Sequence, residues 1–177
     1  MAHCAFICGP NLVSGEHSAR LVSTPAASSS QRENLPVMVG YSGTPLARKL
    51  GIKPDDRVLV SGRPRDLDFA ALVAPLPDRA AIVSRRAKSS PMVICFAESV
   101  AELEKRLPDA INSIPRSGTI WVCWPKKSSA RFKAGTRDLT EDSIRALALE
   151  LGVVDVKVCA VDDTWSGLKL VYRLADR

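Results

Sequence analysis

The chain has 177 residues, 46% of them hydrophobic and 25% charged, which is enough apolar material for one core and too little length for two full domains. No apolar run approaches the roughly 18–20 residues of a membrane-spanning helix, and the opening MAHCAFICGPNLVSG has neither a basic segment nor the apolar stretch of a secretory signal, so a cytoplasmic location is expected. A net charge of +6 makes an anionic partner worth considering and identifies none.

Residues 1–37 are rich in Ser, Ala, Pro, Gly and Asn, follow neither a strand nor a helix period, and contain the low-complexity run TPAASSS. They read as a disordered leader ahead of a single domain over 38–177. His3, Cys4, Cys8 and His17 fall in this leader at spacings that match no usual zinc site, so no metal is expected. Cys95, Cys123 and Cys159 sit in strongly apolar segments and read as buried free thiols.

In 40–52, GYSGTPLARKLGI, Ser42 or Thr44 can cap a short helix that Gly51 ends. The β-branched run 57–61, RVLVS, predicts the first, central strand of a parallel sheet. Apolar residues at helical spacing over 66–76, with Asp66 or Asp68 as cap, predict a helix, and 80–84 a second strand. The nearly unbroken apolar run 91–97, PMVICFA, reads as a strand buried on both faces. Ser99, with Glu102 three residues on, forms a capping-box signature for a helix over 99–114. A strand is expected over 118–124 and a polar, basic loop over 125–138, then a capped helix over 140–151 closed by Gly152. The final strands, 153–161 and 167–174, are joined by DDTWSG, a link short enough for an antiparallel hairpin.

Strands alternating with helices imply right-handed parallel crossovers, hence an α/β fold, a three-layer Rossmann-like sandwich with a mostly parallel sheet and a C-terminal antiparallel hairpin. That ending, together with GIKPDDRVLV, resembles the architecture of S-adenosylmethionine-dependent methyltransferases, trimmed by about one strand-helix unit between residues 80 and 91.

More specifically, GYSGTPLARKLGIK from Gly40, WPKK from Trp124, LTED from Leu139 and VDVKVCAVDDTWSGLKLVYR from Val154 resemble the bacterial family catalogued as domain of unknown function 3052. The resemblance runs from Met38 to the C-terminus and implies no activity, substrate or cofactor. Family members look as if they begin near a Met-x-Gly-Tyr-Ser-Gly string, which implies Met38 as the true start.

A cofactor site of the methyltransferase type needs a glycine-rich turn after the first strand and an acidic residue ending the second. Here the first turn reads Gly62-Arg63-Pro64-Arg65 and the second strand ends in Ser84-Arg85-Arg86, so no cofactor is expected. Both histidines lie in the leader, which leaves the domain without histidine acid/base chemistry or a Ser-His-Asp or Cys-His nucleophile, and no catalytic residue is assigned.

Ligands of open α/β sheets sit outside the carboxyl ends of the strands. The residues expected there are Arg63 and Arg65, Arg85, Arg86 and Lys88, Glu98, Lys126, Lys127, Arg131 and Lys133, and finally Asp162, Asp163 and Trp165. The candidate ligand-binding set is a basic rim, Arg63, Arg65, Arg85, Arg86, Lys126 and Lys127, with an acidic far end at Asp162 and Asp163 and flat faces from Trp124 and Trp165. Solvated loops are the simpler account of the charges, and for Trp165 and the aspartates the competing role, of equal standing, is to plug the sheet edge and cap the turn.

The leading functional expectation is a non-catalytic binding or interaction domain with an anion-receptive rim, its partner a phosphate-bearing small molecule or an acidic protein. The alternatives are a divergent S-adenosylmethionine-dependent methyltransferase and a nucleic-acid-binding protein. An aromatic content of only 5% disfavours base stacking.

Overall fold

The computed structural model describes residues 43–85 and 90–177, all within the unit Leu35–Arg177. The leader over 1–37, the start at Met38, the cap candidate Ser42, and Arg86 and Lys88 lie outside the described residues.

The two most apolar runs form the middle of the sheet. β3 (Met92–Phe96) is buried at every position and pairs in parallel with β4 (Thr119–Pro125). On its other side β3 pairs with β1 (Arg57–Ser61), which pairs with the short β2 (Ala81–Val83), all parallel. The hairpin of β5 (Val153–Ala160) and β6 (Trp165–Tyr172) adds antiparallel to β4 through β6. The order is β2-β1-β3-β4-β6-β5, the mostly parallel sheet with antiparallel ending that the sequence pattern predicts.

Alternation along β4 shows how the sheet is covered. Ile120, Val122 and Trp124 face α3 (Val100–Ile111) and α5 (Glu141–Glu150), where Leu103, Leu107 and Ile144 are fully buried. Trp121 and Cys123 face α1 (Leu46–Leu50) and α2 (Phe69–Val73), with Leu50, Phe69 and Val73 beneath them. Two cores on opposite faces make the three layers.

The local chemistry departs from the sequence expectation in a few places. The N-cap of α1 is Pro45, which has no side-chain acceptor, so Thr44 is not the cap residue; Gly51 does end the helix, in the left-handed conformation at φ 81°. α2 is shorter than 66–76: Asp68 caps it by accepting from the Ala71 N–H at 3.1 Å, and Pro75 and Pro77 follow too soon for a longer helix. In α3, Ser99 accepts from the Glu102 N–H at 3.2 Å, but the Glu102 carboxylate reaches past it to the N–H of Glu98 at 3.1 Å. The reciprocal box is in α5 instead, between Thr140 and Ser143. The loop expected over 125–138 contains α4 (Ala130–Ala134), capped by Ser129.

α1 is fastened to the sheet by a buried hydrogen bond: the Trp121 indole N–H donates to the Leu50 carbonyl at 3.0 Å, satisfying an acceptor that the helix end leaves free. Gly167 makes room for that ring, since a Cβ there would stand 3.2 Å from both Trp121 and Val161. Trp121→Phe keeps most of the apolar area while leaving the Leu50 carbonyl buried without its donor. It is expected to lower the unfolding free energy by about 1–3 kcal/mol in urea titrations; an unchanged midpoint would show that α1 docks without this bond.

Candidate functional site

β1, β3 and β4 run in one direction, β6 runs against them, and β5 runs against β6. The carboxyl ends of β1, β2, β3, β4 and β5 therefore share one edge of the sheet. The chain leaves β1 toward β2 on one side and leaves β3 toward β4 on the other, so the topological switch point, where such folds form their ligand crevice, lies between β1 and β3.

Two arginines border that place. Arg131, on α4, donates to the Glu98 carboxylate at 2.7 Å just after β3 and pairs with Asp66 in the loop after β1. Its guanidinium also lies 5.6 Å from the ring centroid of Trp165 at the start of β6. One cation thus ties together segments arriving from β1, β3, β4 and the hairpin. Burial disfavours the charge, but the hydrogen bonds to Glu98 and Asp66 outweigh it and hold the Arg131 pKa above its ordinary value. α4 is aimed by Ser129, which accepts from the Phe132 N–H at 3.2 Å and donates to the Lys126 carbonyl at 2.8 Å.

The second is Arg106, on α3, which donates to the Phe96 carbonyl at 3.0 Å and to Glu102 at 2.7 Å. Burial raises the Glu102 pKa, but hydrogen bonds from the Glu98 N–H and Arg106 more than offset this and leave it below the ordinary carboxyl value. Gly62, at φ 66°, follows β1, and a Cβ placed there would collide with the Phe96 carbonyl and stand 3.0 Å from the Arg106 guanidinium. The turn continues Arg63-Pro64-Arg65, and β2 gives way to exposed Ser84 and Arg85 with no carboxylate. The methyltransferase architecture implies S-adenosylmethionine, and these residues fit it poorly: the turn has one glycine, with the Phe96 carbonyl and Arg106 on its Cβ side, and no acid stands at the end of β2 to hold ribose hydroxyls, although Gly62, Ser61 and Ser84 do line a cavity of about 380 Å³.

The structure brings the expected rim residues to this edge with different fates. Arg63 donates to the Leu67 carbonyl and shapes its own loop, while Arg65, Arg85 and Lys127 are exposed and Lys126 is half-buried, none in an ion pair among the described residues. Arg65, with Arg63 and the carboxylates Asp66 and Asp68, lines a cleft of about 630 Å³ running beside Ile82, Val83 and Ser84. A second cleft, about 540 Å³, lies beside Arg131 and Glu98. The carboxylates here are engaged inward. Asp66 and Glu98 pair with Arg131, Asp68 caps α2, and Asp162 accepts from the N–H groups of Thr164 at 2.8 Å and Trp165 at 2.6 Å. Asp163 is exposed.

Trp124 needs correction as a ligand face, and for Trp165 and Asp162 the structure takes the competing role of plugging the sheet edge and capping the turn. Trp124 is 7% exposed and Trp165 2%, on opposite faces of the sheet, so neither offers a flat face to a ligand. Trp165 lies in β6, opposite Pro125, and its ring meets Phe96 edge-on at 5.1 Å. Asp162 holds the turn rather than presenting a carboxylate outward. The sequence reading passed over Arg106; the signal available for it was the Glu102 to Arg106 spacing of four residues within one helix.

Neither core thiol is a ready nucleophile, and Cys159, expected to be buried, is half-buried. Burial pushes Cys95 up to about 12 and Cys123 well above its ordinary value, so both are protonated at neutral pH. Among the described residues no His/Cys/Asp/Glu group could hold a metal ion, and no helix is long and apolar enough to cross a membrane.

No family model and no curated protein matches the chain. Solved structures do resemble it. Mitomycin 7-O-methyltransferase aligns with a TM-score of 0.50 at 10% identity, covering 67% of this chain and 49% of that one. Magnesium protoporphyrin IX methyltransferase from Synechocystis PCC 6803, with bound SAM, aligns at 0.47 and 11% identity, covering 72% and 74%. A Pyrococcus horikoshii OT3 protein aligns at 0.48 and 12% identity, covering 73% and 87%. At such identities the likeness concerns the fold, which is that of a trimmed methyltransferase-like Rossmann domain.

Arg131→Met removes the shared cation and leaves Glu98 half-buried beside an uncovered Trp165. A loss of about 1–3 kcal/mol of stability is expected by chemical denaturation, since Arg131 is mostly but not fully buried. A neutral result would show that the pairs contribute nothing to holding the edge together.

Proposed function

We propose that this domain binds an anionic partner along the carboxyl rim of its sheet and carries out no chemistry there. The observation that supports this most directly is the division of charge at that edge. The carboxylates Asp66, Asp68, Glu98 and Asp162 each have a partner within the domain, whereas Arg65, Arg85 and Lys127 are exposed with no ion pair among the described residues, Arg65 at a cleft that Asp66 and Asp68 also line and that is large enough for a small ligand. Guanidinium groups suit phosphate oxygens geometrically, and a phosphate-bearing small molecule is the partner the cleft favours.

Membership of the bacterial family resembled by the sequence belongs to this proposal, as does the absence of a cofactor. A methyl-transfer reading draws on the fold alone and is opposed by the packing of Phe96 and Arg106 over Gly62. Nucleic-acid binding has the net charge of +6 in its favour, but Trp121, Trp124 and Trp165 are all buried, which leaves no indole platform for bases.

Thermal unfolding in the presence of a sugar phosphate, an acidic peptide or a short duplex DNA tests the proposal. A ligand at about 100 times its dissociation constant adds about 2.7 kcal/mol of stability, several degrees for a domain of this size. The expected result is a shift with the sugar phosphate that disappears in Arg65→Glu/Arg85→Glu, two exposed positions whose loss leaves the fold intact. An equal shift in that variant contradicts the rim as the binding surface, and a shift with the peptide alone moves the partner to an acidic protein.

A further inference from the structure

The opposite edge of the sheet holds a second concentration of positive charge. A cavity of about 380 Å³ opens there, between the starts of β3 and β4 and the far end of β6. Lys53, Lys169 and Arg177 line it against one carboxylate, Asp56, which accepts the Lys53 backbone N–H at 2.8 Å. The hydroxyl residues Ser117 and Thr119 line it as well. Arg177 is positioned by its Nε–H, which donates to the Tyr172 carbonyl at 3.1 Å.

The sheet register sharpens this cluster. β5 carries an irregularity between Asp155 and Lys157, so that Val156 has no partner and Lys157 stands directly opposite Lys169. In an unbroken ladder Val156 would oppose Lys169, and Lys157 would turn to the other face. Like charges directly across a ladder repel, and no carboxylate forms an ion pair with either lysine among the described residues. Trp121, opposite Lys169 on β4, shows that this row faces α1, where the Lys157 ammonium donates to the Lys49 carbonyl at 3.2 Å. Lys157 therefore has an internal partner and Lys169 does not. Burial, followed by the charges of Lys157, Lys53 and Arg177, lowers the Lys169 pKa, the direction set by an uncompensated cationic site.

We propose that the cavity bounded by Lys53, Lys169 and Arg177 is an anion-binding site for a phosphate group carried on a small molecule, separate from the carboxyl rim. Its volume falls in the range of small-ligand pockets. Lysine and arginine donors surround the phosphate oxygens, Ser117 and Thr119 offer neutral hydrogen bonds, and Met92 and Val171 contact the body of the ligand. The bulge is then the device that brings Lys157 beside Lys169, a repulsion that the bound anion relieves.

Isothermal titration of the full chain with inorganic pyrophosphate at low ionic strength tests this, in parallel with Lys169→Met, Lys53→Met and Arg65→Glu/Arg85→Glu. Wild type is expected to bind, and each lysine variant to bind about tenfold more weakly or worse, as loss of one charged hydrogen bond implies. The rim variant is expected to bind as wild type does. Should Lys169→Met fail to fold, Lys53→Met carries the same comparison. Absence of binding to wild type, full affinity in the folded lysine variants, or loss of binding in the rim variant alone would each overturn the assignment; the last would leave the rim proposal standing.

Discussion

A single guanidinium shared between two carboxylates organises the carboxyl edge of this domain. Asp66 comes from the loop after β1 and Glu98 from the loop after β3, and these two strands flank the switch point of the sheet. Arg131 reaches both from a helix that exists because Ser129 caps it and anchors it to the end of β4. Its remaining face lies near Trp165, whose backbone is held by Asp162 and whose ring packs on Phe96. Cutting this knot frees the loops after β1 and β3 from one another.

The consequence is chemical. A doubly wound sheet ordinarily leaves its switch point open, and the cofactors of such folds enter there. In this chain Arg106 and the Phe96 carbonyl stand against Gly62, and Arg131 ties the loops after β1 and β3 together through Asp66 and Glu98. Cys95 and Cys123, protonated in the core, are not ready nucleophiles. What remains at the surface is charge. Arg65, Arg85 and Lys127 are exposed there without ion pairs among the described residues, while Asp66 and Glu98 pair with Arg131. The far edge reaches a similar result by another route, through a bulge that sets Lys157 opposite Lys169.

Much of the fold was legible because each segment has one dominant period. The continuous apolar runs of β3 and β4 read as strands buried on both faces, and the Ser99, Thr140 and Gly51 signals placed helix ends to within a residue or so. The site was less legible, for a physical reason: strand direction places side chains at an edge but does not say which way they turn. Arg131 and Lys127 look alike in sequence, yet one is sequestered by two carboxylates from distant loops and the other is in solvent. Trp165 likewise reads as turn until cross-strand pairing with Pro125 draws it into β6. The lysine cluster depends on a one-residue register shift that no local pattern announces.

The claim on which the rest stands is that Arg106 and Arg131 narrow the switch point against a nucleoside cofactor. Calorimetric titration with S-adenosylhomocysteine addresses it most directly, because that ligand requires the space over the Gly62 turn. No binding is expected even at millimolar ligand, on the order of 4 kcal/mol or less of affinity. Saturable binding in the micromolar range would contradict the account, show that Arg106 and Arg131 swing aside, and return the domain to the cofactor-dependent enzymes whose fold it shares.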